Sequence, residues 1–233
     1  NVSHEIRTPL TVLAGFVETL QTLPLNEDER SHYLELMSQQ AHRMQTLVSD
    51  LLTLSRLEGS PPPPVHDWVP AQLLMAQCEQ DAHDLSSVLW GSARVLHFEL
   101  DAGLEIAGAA TELHSAMSNL IGNAIRYSPA DKPIEVRCNA QPDGGAMFSV
   151  RDQGAGIAPE HIPRLTERFY RVDRSRSRET GGTGLGLAIV KHVAQRHGAE
   201  LSIESAPGKG SCFSIRFAPQ RVRLAGAQLD VSA

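Results

Sequence analysis

The stretch Gly181-Gly182-Thr183-Gly184-Leu185-Gly186 carries the strongest fold signal in this chain, because it stands directly before a run with helical apolar spacing. The helix is predicted over Leu185–Arg196, and glycines at a helix N-terminus leave backbone N–H groups bare to bind an anion. Beyond the helix, Glu200–Ser205 and Cys212–Phe217 predict a strand pair. The stretch therefore predicts an anion-binding loop where a sheet meets a helix.

Upstream of this loop, helix and strand patterns alternate from about residue 67 onward. The predicted helices are Ala71–Asp84 and Thr111–Tyr127, and the predicted strands are Val95–Leu100, Ile134–Asn139 and Met147–Arg151. Pro142-Asp143-Gly144-Gly145 is a turn signal between the last two strands. Helices interleaved with hairpin strands are typical of an α/β sandwich, in which helices cover one face of a mixed sheet.

Residues 1–59 predict a helical hairpin whose second helix is capped by Asn26. Apolar residues recur in it at spacings of three and four: Ile6, Leu10, Leu13, Val17, Leu20, Met37, Ala41, Met44, Val48 and Leu51. Two amphipathic helices cannot bury both seams alone, so we expect a dimeric four-helix bundle built by two chains. The alternative is that the helices pack on the downstream domain of their own chain.

The predicted domain organisation follows from these patterns. Residues 1–59 form the hairpin, and residues 60–67 form a linker that the run Pro61–Pro64 keeps extended. Residues 68–219 form the sandwich, and residues 220–233 have no clear pattern and are expected to be a disordered tail.

Composition excludes several classes of protein. The net charge of −6 argues against a nucleic-acid-binding surface, so no direct nucleic-acid partner is expected. No stretch has the roughly 18 consecutive apolar residues of a membrane span. The three cysteines, Cys78, Cys138 and Cys212, are too widely spaced for a metal pair or a disulfide framework, which suits a reducing cytoplasm. The chain opens at Asn1 inside a helical pattern, so we expect a fragment of a longer protein.

Two further groups of residues suggest nucleotide chemistry. Asp152 opens the run Asp152-Gln153-Gly154-Ala155-Gly156 at a strand end, where its carboxylate can accept a hydrogen bond from an amino group. Asn119 and Asn123 lie four residues apart on one helix, with Arg126 following; amide oxygens suit Mg²⁺ and arginine suits phosphate. The alternatives are a turn cap for Asp152 and a merely polar helix face for the asparagines.

The segment Arg164–Glu179 contains six arginines and three acids around Phe169-Tyr170, with little apolar periodicity. We interpret it as a mobile lid over a polyanion. The alternative is a solvated surface loop.

In the first helix, His4 falls outside the apolar seam and faces solvent, with Glu5 adjacent and Thr8 four residues on. Pro9 removes one helical hydrogen bond and is expected to kink the helix beside the histidine. A neutral imidazole is a nucleophile near neutral pH, and a carboxylate on its other nitrogen would fix the tautomer.

Taken together, these motifs resemble the cytoplasmic core of a bacterial sensor histidine kinase. In the family's order, the chain has a phosphoacceptor box at Asn1–Leu10, an N box at Asn119–Ala124, glycine boxes at Asp152–Gly156 and Gly182–Gly186, and an F box at Arg168–Arg171. Within the family, the run from His161 to Asp173 is similar to the phosphate-regulon sensor kinases. The resemblance implies an ATP-binding α/β sandwich of the gyrase, Hsp90 and histidine kinase type.

The resemblance also implies roles in the hairpin. His4 would receive the γ-phosphoryl group of ATP on its Nε2, and Glu5 would orient the ring and accept its proton. Thr8 would position the water that hydrolyses a phosphorylated response regulator. The alternative for Thr8 is a hydrogen bond back to the carbonyl of His4.

In the sandwich, the resemblance implies an ATP and Mg²⁺ site. Asn123 would bind Mg²⁺ with Asn119 as polar support, Asp152 would bind the adenine amino group, and the arginines would meet phosphates. The nucleotide-binding residues implied are Asn119, Asn123, Arg126, Tyr127, Asp152, Gly154, Gly156, Arg171, Gly182, Gly184, Leu185 and Gly186.

The implied partners are a second copy of the chain and the receiver domain of a response regulator. The full-length protein is expected in the inner membrane, anchored through a region upstream of this chain. Only three residues precede His4, where the family's first helix has more turns, so we expect a weak dimer. Two other functions stay open, a non-catalytic nucleotide-gated dimerisation module and a gyrase-type ATPase. Hydrolytic relatives carry Glu at the position of Asn119, and an amide is a poor base.

Overall fold

A helical hairpin begins the fold, with α1 spanning Val2–Thr22 and α2 spanning Glu27–Gly59. The computed structural model describes residues 2–91, 94–172 and 182–225. Asn26 caps α2 as predicted: its side chain accepts a hydrogen bond from the Glu29 N–H, and the Glu29 carboxylate accepts one from the Asn26 N–H, both at 2.9 Å. This reciprocal pair satisfies two backbone donors that a helix start leaves open.

The α/β sandwich is confirmed. Its helices are α3 (Ala71–Trp90), α4 (Ala110–Tyr127) and α5 (Gly186–Arg196). Its strands are β1 (Trp68–Pro70), β2 (Leu96–Leu100), β3 (Leu104–Ala107), β4 (Ile134–Ala140), β5 (Ala146–Asp152), β6 (Glu200–Ser205), β7 (Ser211–Phe217) and β8 (Val222–Leu224). Short 3-10 turns occupy Ile162–Arg164 and Pro219–Arg221.

Five strands form the main sheet in the order β2-β4-β5-β7-β6. The pair β2-β4 is parallel and the other pairs are antiparallel, so the sheet is mixed as predicted. Along β5, side chains alternate between the two faces, and Phe148, Val150 and Asp152 all point to the buried side. The core between this face and the helices is apolar. Asp152 is the last residue of β5, and its carboxylate lies on the same buried face as Phe148 and Val150.

The sequence did not predict the second sheet, in which β1, β3 and β8 pair antiparallel. The prediction of a disordered tail from residue 220 is therefore wrong for Val222–Leu224. A strand of three residues is too short to show an alternating pattern, and its pairing with β3 comes from contacts far away in the sequence. Residues 226–233 lie outside the described part of the chain.

The hairpin packs on its own sandwich through the last turns of α2. Leu47, Leu54 and Leu57 are buried there, against α5 among other elements. The seam that we predicted from Leu10 and Val48 stays open to solvent, with 52% and 45% of these residues exposed. One face of α2 thus covers the sandwich of its own chain, as the alternative stated, while the dimeric bundle stays a prediction for the exposed apolar residues.

Two arginines of the sandwich hold the proline-rich segment. Arg196 donates to the carbonyls of Leu57, Ser60 and Pro61 at 2.9, 2.6 and 2.8 Å, while Glu112 binds the same guanidinium through both of its carboxylate oxygens. Arg221, which is buried, donates to the carbonyls of Pro63 and Pro64 and to that of Ala107. The segment is therefore fixed along the sandwich rather than free.

Among the described residues, none of the helices combines the length and the apolar character needed to cross a bilayer.

Candidate functional site

A cavity of about 320 Å³ opens between α4, the end of β5, the start of α5 and the side of α2. Most of the residues predicted to bind nucleotide line it. From the prediction these are Asn119, Asn123, Arg126, Tyr127, Asp152, Gly154, Gly156, Arg171, Gly182, Gly184 and Gly186. Eleven of the twelve predicted residues thus meet at one cavity although they come from four separate segments of sequence.

Leu185 is the one predicted nucleotide-binding residue that does not line the cavity, and its part in nucleotide binding stays a prediction. Its side chain is fully buried in the core and does not reach the cavity. Leu185 directly precedes α5, and its side chain packs in the apolar core where that helix begins.

Asp152 sits at the inner end of the cavity and is 6% exposed. Its Oδ1 accepts a hydrogen bond from the Gly154 N–H at 2.7 Å, so the turn-cap alternative is also realised. Burial raises the pKa of this carboxyl, while the hydrogen bond from Gly154 opposes the shift. Ser211 also hydrogen-bonds this carboxyl through its backbone and its side chain, so the acceptor is held in place at the cavity, where it is suited to bind a ligand amino group.

Helix α4 supplies the polar wall of the cavity. Asn119 and Asn123 lie one turn apart on its inner face, as their spacing predicts. The Asn119 amide donates to the Ser115 carbonyl at 2.8 Å, and its oxygen is directed at Gly186 at the start of α5. Asn119 therefore lies where α4 meets α5, and Asn123 lines the cavity one turn further along α4.

Arg126 brings positive charge to the same wall. Burial lowers the pKa of its guanidinium, and its Nε has no hydrogen-bond partner among the described residues. A buried cationic nitrogen without an acceptor is costly unless an anion completes it. Together with the Asn123 amide, this donor set fits a Mg²⁺-bound phosphate chain, since Mg²⁺ takes one or two protein ligands plus phosphate oxygens.

Two glycines are required by close backbone approach. At Gly156, which has φ +69°, a Cβ would collide with the Ala206 carbonyl. At Gly184, which has φ +75°, a Cβ would lie 3.0 Å from the Phe169 Cα. These residues shape the cavity rim because any side chain would push its loops apart.

The first half of the predicted lid is a wall of the cavity. Phe169 has φ +64°, unusual for a bulky residue, and its N–H donates to the Gly184 carbonyl at 2.8 Å. Tyr170 lines the cavity while its hydroxyl meets the His161 Nδ1 at 2.7 Å and Arg164 lies over its ring. Residues 173–179 of the predicted lid lie outside the described part of the chain.

The three hairpin residues predicted to be catalytic lie on α1 and do not line the cavity. His4 and Thr8 are exposed, Glu5 is half-buried, and the Thr8 hydroxyl donates to the His4 carbonyl at 3.1 Å. That bond is the alternative contact considered for Thr8. Pro9 is buried, so it anchors α1 beside the histidine.

The packing of the hairpin places His4 level with the cavity. The Phe16 ring of α1 contacts the Tyr33 ring of α2 in a tilted arrangement, with ring centroids 5.8 Å apart. Because the two helices are antiparallel with equal rise per residue, His4 lies opposite the region of Gln45. The next residue, Thr46, lines the cavity.

Sequence reasoning missed the contribution of α2. Thr46 and Asp50 line the cavity, and the Thr183 hydroxyl donates to Asp50 Oδ2 at 2.6 Å. Burial raises the pKa of the Asp50 carboxyl, opposed by the Thr183 hydrogen bond and by the charge of Arg126. Thr183 could have been found from its place in the glycine-rich run, but no local pattern marks Asp50.

Comparison with protein families divides the chain in two. The profile of histidine kinase-, DNA gyrase B- and HSP90-like ATPases matches residues 108–221. The profile of the His Kinase A (phospho-acceptor) domain matches residues 1–60. The first match contains the cavity residues of the sandwich, and the second contains His4.

The chain is also similar to whole sensor proteins. The phosphate regulon sensor protein PhoR of Pseudomonas aeruginosa is 49% identical over 95% of the chain. The sensor-like histidine kinase SenX3 of Mycolicibacterium smegmatis is 35% identical over 92% of the chain. The chain covers 49% of the former and 55% of the latter, so it spans about half the length of these curated relatives.

Among solved structures, the crystal structure of full-length ShkA in complex with AMPPNP matches 97% of this chain and 46% of its own. The TM-score is 0.66 and the sequence identity is 27%.

Proposed function

Because the chain belongs to the family of sensor histidine kinases, we propose that it transfers the γ-phosphoryl group of ATP to His4 and from there to a response regulator. The observation that carries this proposal is the cavity, which offers a binding group for each part of a nucleotide. The buried Asp152 carboxylate can accept a hydrogen bond from the base, and the amide and arginine side chains of α4 can bind the phosphates and their cation. The full-length ShkA structure, which contains the ATP analogue AMPPNP, supports the choice of nucleotide.

The residues of the cavity divide the work of binding. Asp152 accepts a hydrogen bond from the adenine amino group, and Tyr127 and Tyr170 border the base. Arg126 and Arg171 neutralise phosphates, and the backbone N–H groups near Gly184 and Gly186 add donors at the start of α5. Asn123 would hold Mg²⁺, which would neutralise phosphate charge as the transition state forms.

In the transfer step, the His4 Nε2 attacks the γ-phosphorus of ATP, and the bond from phosphorus to the bridging oxygen breaks. ADP leaves with that electron pair, and Glu5 accepts the proton of the other ring nitrogen. Positioning and charge neutralisation supply most of the catalysis in phosphoryl transfer. An aspartate of the receiver domain then takes the phosphoryl group from His4.

The experiment that tests the proposal is incubation of the chain with γ-labelled ATP and Mg²⁺. We expect label on the protein that is lost in acid, because a phosphoramidate is acid-labile and a phosphoester is not. A chain that binds ATP without acquiring label would be a nucleotide-gated dimerisation module. Fast release of phosphate without regulator would indicate a gyrase-type ATPase, which the amide at Asn119 disfavours.

We further propose that the signalling concerns phosphate starvation, and that the whole protein is anchored in the inner membrane. Support comes from the 49% identity to the phosphate regulon sensor protein PhoR over 95% of the chain.

Thr8→Ala is expected to lower the dephosphorylation of the regulator by on the order of 10²-fold while autophosphorylation stays largely intact. Thr8 is exposed one helical turn after His4, so its hydroxyl can turn from the His4 carbonyl to a water aimed at the docked phospho-aspartate. Both half-reactions are measured on one preparation with the cognate regulator. Equal losses in the two would mean that Thr8 is structural.

We propose that the open seam of the hairpin pairs with a second copy of the chain. Sedimentation across a concentration series is expected to show a monomer–dimer equilibrium, and Leu10→Asp is expected to leave only monomer because it places a charge in the seam. Leu73→Asp is the matched control, since Leu73 is equally apolar and 65% exposed but lies on α3. A Leu10→Asp chain that still dimerises would remove this surface from the interface.

A further inference from the structure

The side of α2 that faces the cavity brings a negative charge to the nucleotide site. Asp50 lines the cavity, and its carboxylate accepts a 2.6 Å hydrogen bond from Thr183. Thr183 lies between Gly182 and Gly184, inside the glycine-rich run that the proposed function assigns to phosphates. The Asp50 carboxylate of the hairpin thus binds in the same loop that the proposed function assigns to the phosphates of ATP.

Arg126 attracts both the Asp50 carboxylate and, in the proposed function, a phosphate of ATP. Arg126 favours the ionised form of Asp50, and in the proposed function it neutralises a phosphate of ATP. Its Nε has no hydrogen-bond partner among the described residues, so Asp50 interacts with this cation through space without completing its donors. In the proposed function Asp50 and a phosphate of ATP thus share the positive charge of Arg126, and the Arg126 Nε is left for the phosphate to bind.

Contacts outside the cavity hold Asp50 in this place. Glu58, two turns further along α2, forms an ion pair with Arg168 of the F box. Arg196 fixes the carbonyls that follow α2, and Leu54 and Leu57 are buried beneath the helix. The helix is thus docked on the sandwich along its last three turns, and the position of Asp50 is set by this docking rather than by its single bond to Thr183.

From this juxtaposition we infer that Asp50 is an internal competitor of the nucleotide's phosphates, so that binding of ATP and docking of α2 on the sandwich oppose each other. The inference rests on the proposed function, because it takes the cavity to be the ATP site. A triphosphate brings like charge to within contact of a partly buried carboxylate, and like charges in a shared low-dielectric site repel strongly. The nucleotide's apparent affinity is then its intrinsic affinity multiplied by the fraction of chains in which α2 is undocked.

The inference makes Asp50 a determinant of ligand choice as well as of affinity. Adenosine, which the proposed function places at Asp152, carries no phosphate charge that Asp50 could repel. ADP has less charge than ATP at the other end. The penalty from Asp50 must therefore rise from adenosine to ADP to ATP, which an unspecific effect of the fold on the cavity would not do.

The test measures dissociation constants of adenosine, ADP and ATP by calorimetry on the 233-residue chain. For Asp50→Asn and Asp50→Ala we expect ATP to bind about tenfold more tightly, ADP to gain less, and adenosine to be unchanged. Asp50→Glu keeps the charge and is expected to retain the affinities of the original chain. Glu35→Gln is the matched control, because it removes an exposed acid from the same helix far from the cavity.

Three outcomes would overturn the inference: unchanged ATP affinity in both neutral variants, an equal gain for adenosine, or weaker binding of ATP only when Mg²⁺ is present. The last would make Asp50 a metal ligand rather than a competitor. Failure of the proposed function looks different, because the original chain would then bind neither adenosine nor ATP. Thermal melting of each variant verifies that it is folded.

Discussion

His4→Gln is expected to reduce the acid-labile label from γ-labelled ATP to background, a loss of roughly 10³-fold or more because the nucleophile itself is removed. Glutamine retains a polar side chain at an exposed position of α1, so the helix and the cavity of the sandwich are expected to be unchanged. ATP affinity, measured in parallel, is expected to stay at the value of the original chain.

His32→Gln is the control for this prediction, since His32 is also exposed and lies on the other helix of the hairpin. We expect it to incorporate label normally. Label that survives acid, or label that persists in His4→Gln, would show that a different residue accepts the phosphoryl group.

Asp152→Asn is expected to weaken ATP binding by roughly 10²-fold, because the amide turns a donor toward the adenine amino group where an acceptor is needed. Asn123→Asp is expected to lower phosphorylation to a similar degree, since it adds negative charge beside the phosphates and alters the cation ligand. The measurements are ATP affinity and initial rate of labelling, with a melting curve for each variant.

Asp84→Asn serves as the charge-matched control, because Asp84 is exposed on α3 and accepts a hydrogen bond from Gln80 on the same helix. A variant at position 152 or 123 that keeps its affinity for ATP would remove that residue from the site. Loss of affinity together with loss of the melting transition would assign the residue to folding instead.

The sequence predicts the parts of the site that depend on local geometry. Asn119 and Asn123 share a helix face because four residues make about one turn, and Asp152 points inward because β5 alternates. The position of the glycine-rich loop directly before α5 was predictable as well, because both the glycines and the start of a helix are marked by residues close together in the sequence. These regularities are set by local backbone geometry and do not depend on contacts with distant parts of the chain.

The parts that could not be predicted depend on contacts between distant segments. Asp50 belongs to a different domain from Thr183, so nothing around it in the sequence indicates a cavity. Strand β8 is defined by its partner β3, and Arg221 is buried because it meets carbonyls of the proline-rich segment. The burial of the Leu185 side chain was not predicted, because the glycine-rich run and the start of α5 meet at this position.

The fixed proline-rich segment bears on how such proteins can be recombined. A chimera that joins the sandwich of this chain to the hairpin of another at Pro61–Pro64 would keep Arg196 and Arg221 but could shift the carbonyls that they bind. Insertion of a single residue in that segment would move the bound carbonyls by about 3 Å, beyond hydrogen-bonding range. Exchange of sensory inputs is therefore better made upstream of His4, where the crossover leaves both arginine contacts intact.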